Sequence, residues 1–380
     1  MIKYADIFSG CGGLSHGFYA NPDFKGVLAV DYWNAAEKVY TYNHPNTPFE
    51  IKDMFNKEEV EDVVGKLKGE CDILLGGPPC QSFSTLGKRK EGDKRDSLVE
   101  TFFEIAKRVG PKVIIMENVR GITSKKHYSG LSYPDFIKEY LENEEFEFSY
   151  NSKGFLIDAL DYDVPQTRVR WLLIGVRKDI NSEYGLLDKL ENLIIKKNNK
   201  ESVLTLKDAI GDLPFIEAGE GAEEIIIEDN NNSKVLFNHK AMKHSPALIE
   251  RLSHVPDGGG LLDVPRKLLT GHLQKMVDGK YGSGGHVKNI YGRMFWEKPS
   301  GTIIAGIDKI TCGRYVHPEA NRLLTPRECA RIQTFPDEYR FFGSLVNQYY
   351  LIGNAVPVNI SSVIAESISL VLKKLTTVYS

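Results

Sequence analysis

Short apolar runs separated by amphipathic stretches open the chain. KYADIF (3–8), KGVLAV (25–30), CDILL (71–75) and KVIIM (112–116) are too short for buried helices and rich in aliphatic residues, which suits strands covered on both faces. Between the last two, LVETFFEIAKRV (98–109) sets Leu98, Phe102, Ile105, Ala106 and Val109 at helical spacing and predicts a helix with one apolar face. Strand and helix in alternation predict a parallel α/β sheet, in which the loops at the carboxyl ends of the strands carry the chemistry.

After WLLIGV (171–176), one more predicted strand, the pattern changes. KKNNK (196–200), GEGAEE (219–224) and DNNNSK (229–234) are polar, turn-forming connections, so a boundary falls near residue 180. Glycines then cluster in PDGGGLL (256–262) and KYGSGGH (280–286), as expected of an irregular, loop-bearing domain. Order returns with TPRECARIQTF (325–335), where Thr325 is placed to cap a helix, Pro326 occupies its first position and Glu328 completes a capping box. VNISSVIAESISLVLKKL (358–375) predicts an amphipathic helix that packs back on the sheet.

Composition narrows the class without naming it. The 380 residues suffice for a large core plus a second, smaller unit, and no apolar run approaches the roughly 18 residues of a membrane span. The beginning, MIKYADIFSGCGG, has no basic segment followed by an apolar one, so a cytosolic protein is expected. Five cysteines without any CxxC pair indicate neither a disulfide framework nor a zinc site. The net charge of −3 disfavours a wholly basic nucleic-acid binder but says nothing of a local stripe, and KRKEGDKR (88–95) is one.

Three stretches carry candidate chemistry. DIFSGCGGLSHGF (6–18) follows the first strand, and its glycines permit close approach of a ligand. Ser15 stands where a dinucleotide fingerprint has its third glycine. Asp31 ends the second strand, where a carboxylate grips ribose hydroxyls, with Tyr32 and Trp33 as flat faces for a purine and Asp53 as an acceptor for an exocyclic amine. The set suits an adenosine-bearing ligand without a pyrophosphate, against the alternative of an ordinary tight turn over core aromatics. GGPPCQSFS (76–84) places Cys80 after the fourth strand, oriented by Pro78 and Pro79 and followed by a basic loop that would lower a thiol pKa; the plainer alternative is a buried structural cysteine. Glu117 and Asn118 end the next strand beside that loop, and Glu117 is either a partly desolvated acid or a carboxylate paired with Arg120. In QTRVR (166–170), alternation puts Arg168 and Arg170 on one face, to clamp a carbonyl or phosphate or simply to be solvated.

The order of these motifs, DIFSGCGG, GGPPCQSFS, ENV (117–119), QTRVR, RLLTPRECARIQTFPD (322–337) and GNAVPV (353–358), resembles the C5-cytosine DNA methyltransferases across nearly the whole chain outside 180–300. The resemblance implies a Rossmann-like, S-adenosylmethionine-dependent α/β sheet with a smaller, irregular target-recognition domain. Its domains would be 1–179 plus 341–380, catalytic, and 180–340, target-recognition. Cys80 would be the nucleophile that adds to C6 of a flipped-out cytosine in duplex DNA, Glu117 would engage N3 and the exocyclic amine, Arg168 the carbonyl, and Arg170 would support the same site. Phe8, Gly10, Gly12, Gly13, Asp31, Tyr32, Asp53, Pro79, Asn354 and Val356 would hold the methyl donor, which leaves as S-adenosylhomocysteine; no metal is implied. Asp31 stands for the commoner Glu, and Val358 for a second proline.

Gln81, Ser84, Lys88, Arg89, Lys90, Lys94 and Arg95 would close over DNA, with Lys288, Asn289 and Arg293 as further candidates in the recognition segment. The expected protein is a monomer acting on nucleoid DNA in a prokaryotic cytoplasm, with a cognate restriction endonuclease acting separately. Two rivals are a tRNA cytosine-5 methyltransferase on the same scaffold, whose relatives usually carry a CFT tripeptide absent here, and a nicotinamide oxidoreductase, disfavoured by the missing third glycine.

Overall fold

The computed structural model describes residues 1–79, 97–195, 203–229, 232–279 and 287–377. Cys80, Gln81, Ser84, Lys88, Arg89, Lys90, Lys94 and Arg95 lie outside the described residues.

The chain divides into two compact units, the first made of Met1–Tyr162, Arg168–Asn199 and Val356–Ser380, the second of Asp163–Thr167 and Lys200–Ala355. The cuts thus fall at 199/200 and 355/356 rather than at 179/180 and 340/341. The later first cut has a packing reason. After strand β7 (Val169–Arg177), helices α6 (Lys178–Tyr184) and α7 (Leu186–Ile194) follow, and α7 buries Leu186, Leu187, Leu190 and Ile194.

Seven strands build the first unit: β1 (Ile2–Ile7), β2 (Phe24–Asp31), β3 (Phe49–Ile51), β4 (Ile73–Gly76), β5 (Val113–Val119), β6 (Tyr150–Asp158) and β7. They lie in the order β3-β2-β1-β4-β5-β7-β6. The first five are parallel, as expected, whereas β7 pairs antiparallel with both β5 and β6. Strand β6 had no signal in the hydrophobic pattern because it is an edge strand, and YNSKGFLID leaves Lys153, Gly154 and Leu156 exposed. Helices α1 (Gly13–Tyr19), α2 (Asn34–Asn43), α3 (Lys57–Leu67), α4 (Ser97–Val109) and α5 (Tyr133–Glu142) connect the strands. The main core joins Ile7, Leu74, Ile114 and Met116 of the sheet to Phe102, Phe103 and Ile105 of α4 and Ile137 of α5. Each such side chain contributes about 1.5–3 kcal/mol when removed from water.

The second unit carries α8 (Leu206–Ile210), the hairpin β8 (Gly221–Asp229) with β9 (Asn232–Lys240), α9 (Pro246–Ser253), α10 (Gly271–Val277), α11 (Pro326–Ile332) and α12 (Leu345–Asn354). Thr325, Pro326 and Glu328 form the expected capping box at α11. The expected terminal helix is α13 (Val358–Thr377), which belongs to the first unit and meets α1, where the Gly17 amide donates to Ser361 Oγ over 3.0 Å. No single helix among the described residues is long and apolar enough to cross a membrane.

Candidate active site

The strand order reverses between β1 and β4, which are neighbours in space, and open α/β sheets hold ligands at the carboxyl edge of such a reversal. Register places the exits side by side. Ile7 pairs with Gly76, and Gly76 with Met116, so Phe8 and Gly77 leave their strands beside Glu117 of β5 at one edge.

The loop after β1 is held in an uncommon conformation. Phe8 has φ 66°, a left-handed geometry that a bulky side chain rarely adopts, and Gly10 (54°) and Gly12 (90°) follow it there. Backbone bonds over-determine the turn: the Ser9 amide donates to Val30 O (3.0 Å) and the Gly10 amide to Asp31 Oδ2 (2.8 Å). Asp31 Oδ1 accepts from the Trp33 amide at 2.9 Å. Burial pushes the Asp31 carboxyl above its ordinary range, against the pull of these amides. A side chain at Gly10 would meet nothing within 4 Å, so the loop borders open space beside that carboxylate. Tyr32 next to it is 62% exposed, the condition for a stacking platform. Asp53 is exposed beyond β3, its Oδ1 turned to the Phe55 amide at 2.9 Å.

Beneath the loop lies a network that the sequence did not announce. Ser15 donates to Asp6 and accepts from Tyr40 at 3.0 Å. Asp6 is fully buried, which raises its carboxyl to about 7. The only advance signal was an acid inside an otherwise apolar strand.

After β4, Pro78 is buried and Pro79 half-buried, and Asn118 Nδ2 donates to Pro78 O at 3.3 Å, which fixes the chain immediately before Cys80. Glu117 faces this segment: a Cβ on Gly77 would stand 3.8 Å from Glu117 Oε2. Its cationic partner is Arg170, not Arg120, with Arg170 Nε 2.9 Å from Glu117 Oε1. Arg168, expected to be the principal arginine, is 2% exposed and lies before β7 begins; the arginine at Glu117 is Arg170. The other cysteines offer little competition among the described residues. Burial pushes the Cys11 and Cys71 thiols up to about 12 and raises that of Cys329 well above its ordinary range. Cys312 belongs to the second unit.

Val356 is buried in the first unit, while Asn354 is exposed at the end of α12 in the second. Also in the second unit, Lys288 and Asn289 are exposed on a short 3-10 turn. Arg293 corrects an expectation. It is 5% exposed, and its guanidinium donates to the carbonyls of Val255 (2.7 Å), His317 (2.8 Å), Ala320 (3.0 Å) and Leu252 (2.8 Å) and to Asn321 Oδ1 (2.7 Å). A guanidinium with its donors so occupied is a brace for loops, not a reader of bases.

Known proteins match along the same lines. A family profile for C-5 cytosine-specific DNA methylases covers residues 2–370. Type II methyltransferase M.DdeI of Desulfomicrobium norvegicum is 33% identical over 97% of this chain and 88% of its own length, and M1.HphI of Haemophilus parahaemolyticus is 31% identical over 97% and 86%. Among solved structures, a protein encoded within an E. coli prophage superposes with TM-score 0.71 at 22% identity, covering 98% of this chain and 100% of that one, a likeness of fold. With its motifs in order along the seven-stranded sheet and the family profile matched over residues 2–370, the chain belongs to the C-5 cytosine-specific DNA methylases.

Proposed function

We propose that this DNA (cytosine-5)-methyltransferase works through Cys80, Glu117 and Arg170 at the carboxyl edge of β4, β5 and β7, and is the modification enzyme of a restriction-modification system. The observation that carries the reading is the Glu117–Arg170 pair beside the braced Pro78–Pro79 segment that leads into Cys80. The target base lies inside a duplex and must be flipped out, at a cost of a few kcal/mol. Cys80, as thiolate, then forms a bond to C6 of the ring, and the displaced electron pair makes C5 nucleophilic. Glu117 engages N3 and the exocyclic amine, and Arg170 both holds that carboxyl in place and sets positive charge near the ring carbonyl as the adduct forms. Loss of the C5 proton then expels the thiolate and frees the methylated base.

The methyl donor fits the loop after β1. S-adenosylmethionine, when bound, supplies an electrophilic methyl group. Asp31, oriented by the Gly10 and Trp33 amides, would accept from the ribose hydroxyls, and Tyr32 would cover the purine. Phe8, Gly10, Gly12 and Gly13 would line the methionine side, and the buried Val356 would pack nearby. Asp53 would contact the adenine and Pro79 the substrate end, and the buried Arg168 would support the segment that carries Arg170. Relatives named as Type II methyltransferases favour duplex DNA over tRNA, and the family match leaves no support for the nicotinamide reading.

The test is transfer of labelled methyl from S-adenosylmethionine to duplex DNA. We expect transfer by the enzyme, its loss in Cys80→Ala with DNA binding retained, and a covalent complex trapped by 5-fluorocytosine in the target. Equal transfer by the variant would overturn the nucleophile.

A further inference from the structure

The turn that follows β5 and its short 3-10 helix (Arg120–Ser124) is built like a fixed finger. Lys126 bridges to Ser132, the His127 amide donates to Leu131 O at 2.9 Å, and the Gly130 amide returns to His127 O at 2.9 Å with Gly130 at φ 91°. His127 is its root. Its ring is 3% exposed, stacks on Phe136 at 3.7 Å between centroids, and joins Glu100 Oε1 through Nε2 at 3.0 Å. Glu100 lies in the first turn of α4, so the finger is tied to the helix that directly follows residues 80–96.

This rigid base presents one exposed aromatic and two exposed cations. Tyr128, leaning on His127, is 85% exposed, more than any other large apolar side chain described. Arg120 and Lys126 are exposed, and among the described residues neither is ion-paired. Glu100 is engaged by His127 and Asp135 by the Ser132 hydroxyl (2.5 Å). Because β5 is a parallel strand, the finger leaves from the same edge as Phe8 and Gly77.

We propose that Arg120, Lys126 and Tyr128 form a DNA-backbone contact that holds the duplex beside the target cytosine: the two cations meet phosphates, and the tyrosine covers a sugar and donates its hydroxyl to a phosphate. The contact is blind to sequence, since phosphates and sugars are the same at every base pair. It rests on the DNA-methylating activity of the family and adds a surface to it.

The experiment compares the unmodified enzyme with Arg120→Glu/Lys126→Glu and with Tyr128→Ala. Duplex affinity would be measured from about 50 to 200 mM salt on a methylated target duplex and on an unrelated one. The double variant should bind both duplexes at least tenfold more weakly, with a log–log salt slope shallower by about two, each phosphate contact being worth about 0.9. Tyr128→Ala should weaken both several-fold with little change of slope, and in turnover the loss should fall on KM for DNA more than on kcat. An unchanged slope would overturn the proposal, as would a loss confined to the methylated target. Affinity for S-adenosylhomocysteine reports that the variants are folded, and transfer by the unmodified enzyme tests the underlying activity separately.

Discussion

Arg170 reaches Glu117 on the diagonal of an antiparallel ladder: Glu117 faces Leu172 and Val119 faces Arg170, so the two charged side chains share a face two positions apart, with Nε 2.9 Å from Oε1. Long side chains span that diagonal, and both are only 12% exposed, which strengthens the pair relative to one in water. Arg170→Ala should therefore lower kcat by about 10²-fold or more, the usual loss when a donor aimed at developing charge is removed. Arg168→Ala should instead lower thermal stability and cost less in kcat per folded molecule. Single-turnover rates and melting curves for both variants check this.

Asp6 should make the fold more stable in acid than in base over one window. Burial raises its carboxyl from 3.8 to about 7, so the folded state binds its proton more tightly than the unfolded chain does. Its contribution is complete below about 3.8 and is lost as pH rises toward 7, at up to about 1.4 kcal/mol per pH unit. Asp6→Asn should flatten this part of the stability curve, and urea midpoints at pH 5, 6, 7 and 8 measure it.

Gly17→Ala should destabilise the first unit by about 1–3 kcal/mol or more. A Cβ there would lie 2.3 Å from Ser361 C and Ser362 N, which are backbone atoms of α13 and cannot swing aside. Melting temperature reports the loss, and Gly65→Ala, with nothing within 4 Å, should be neutral or mildly stabilising.

Arg293→Ala should behave as a folding variant. It strands the carbonyls of Val255, His317 and Ala320 inside the second unit, at roughly 1–3 kcal/mol for each group left unsatisfied. Arg293→Lys should not restore stability, because one ammonium cannot serve carbonyls spread around a planar fork. Proteolysis and melting should register the change, while the methylated sequence, where any activity remains, should be unaltered.

Much of this molecule was legible before any coordinate. Aliphatic runs marked four of the parallel strands because buried strands leave no room for polar alternation, and Thr325, Pro326 and Glu328 spelled out the start of α11 because capping is local chemistry. Edge strand β6 was silent for the converse reason: only two of its nine residues are buried.

The sequence by itself determined the family, the order of the motifs and the short list of chemical groups, since these depend on residue identity and spacing along the chain. Tertiary structure alone decided which of these groups meet and which are buried. Parity placed Arg168 and Arg170 on one face, but only the β5–β7 register brings Arg170 to Glu117. Lys126 and Arg293 carry the same charge, but only packing sends one to the solvent and the other among buried carbonyls. A side chain's chemistry is covalent and local, while its partners and its exposure are set by segments far away in the chain.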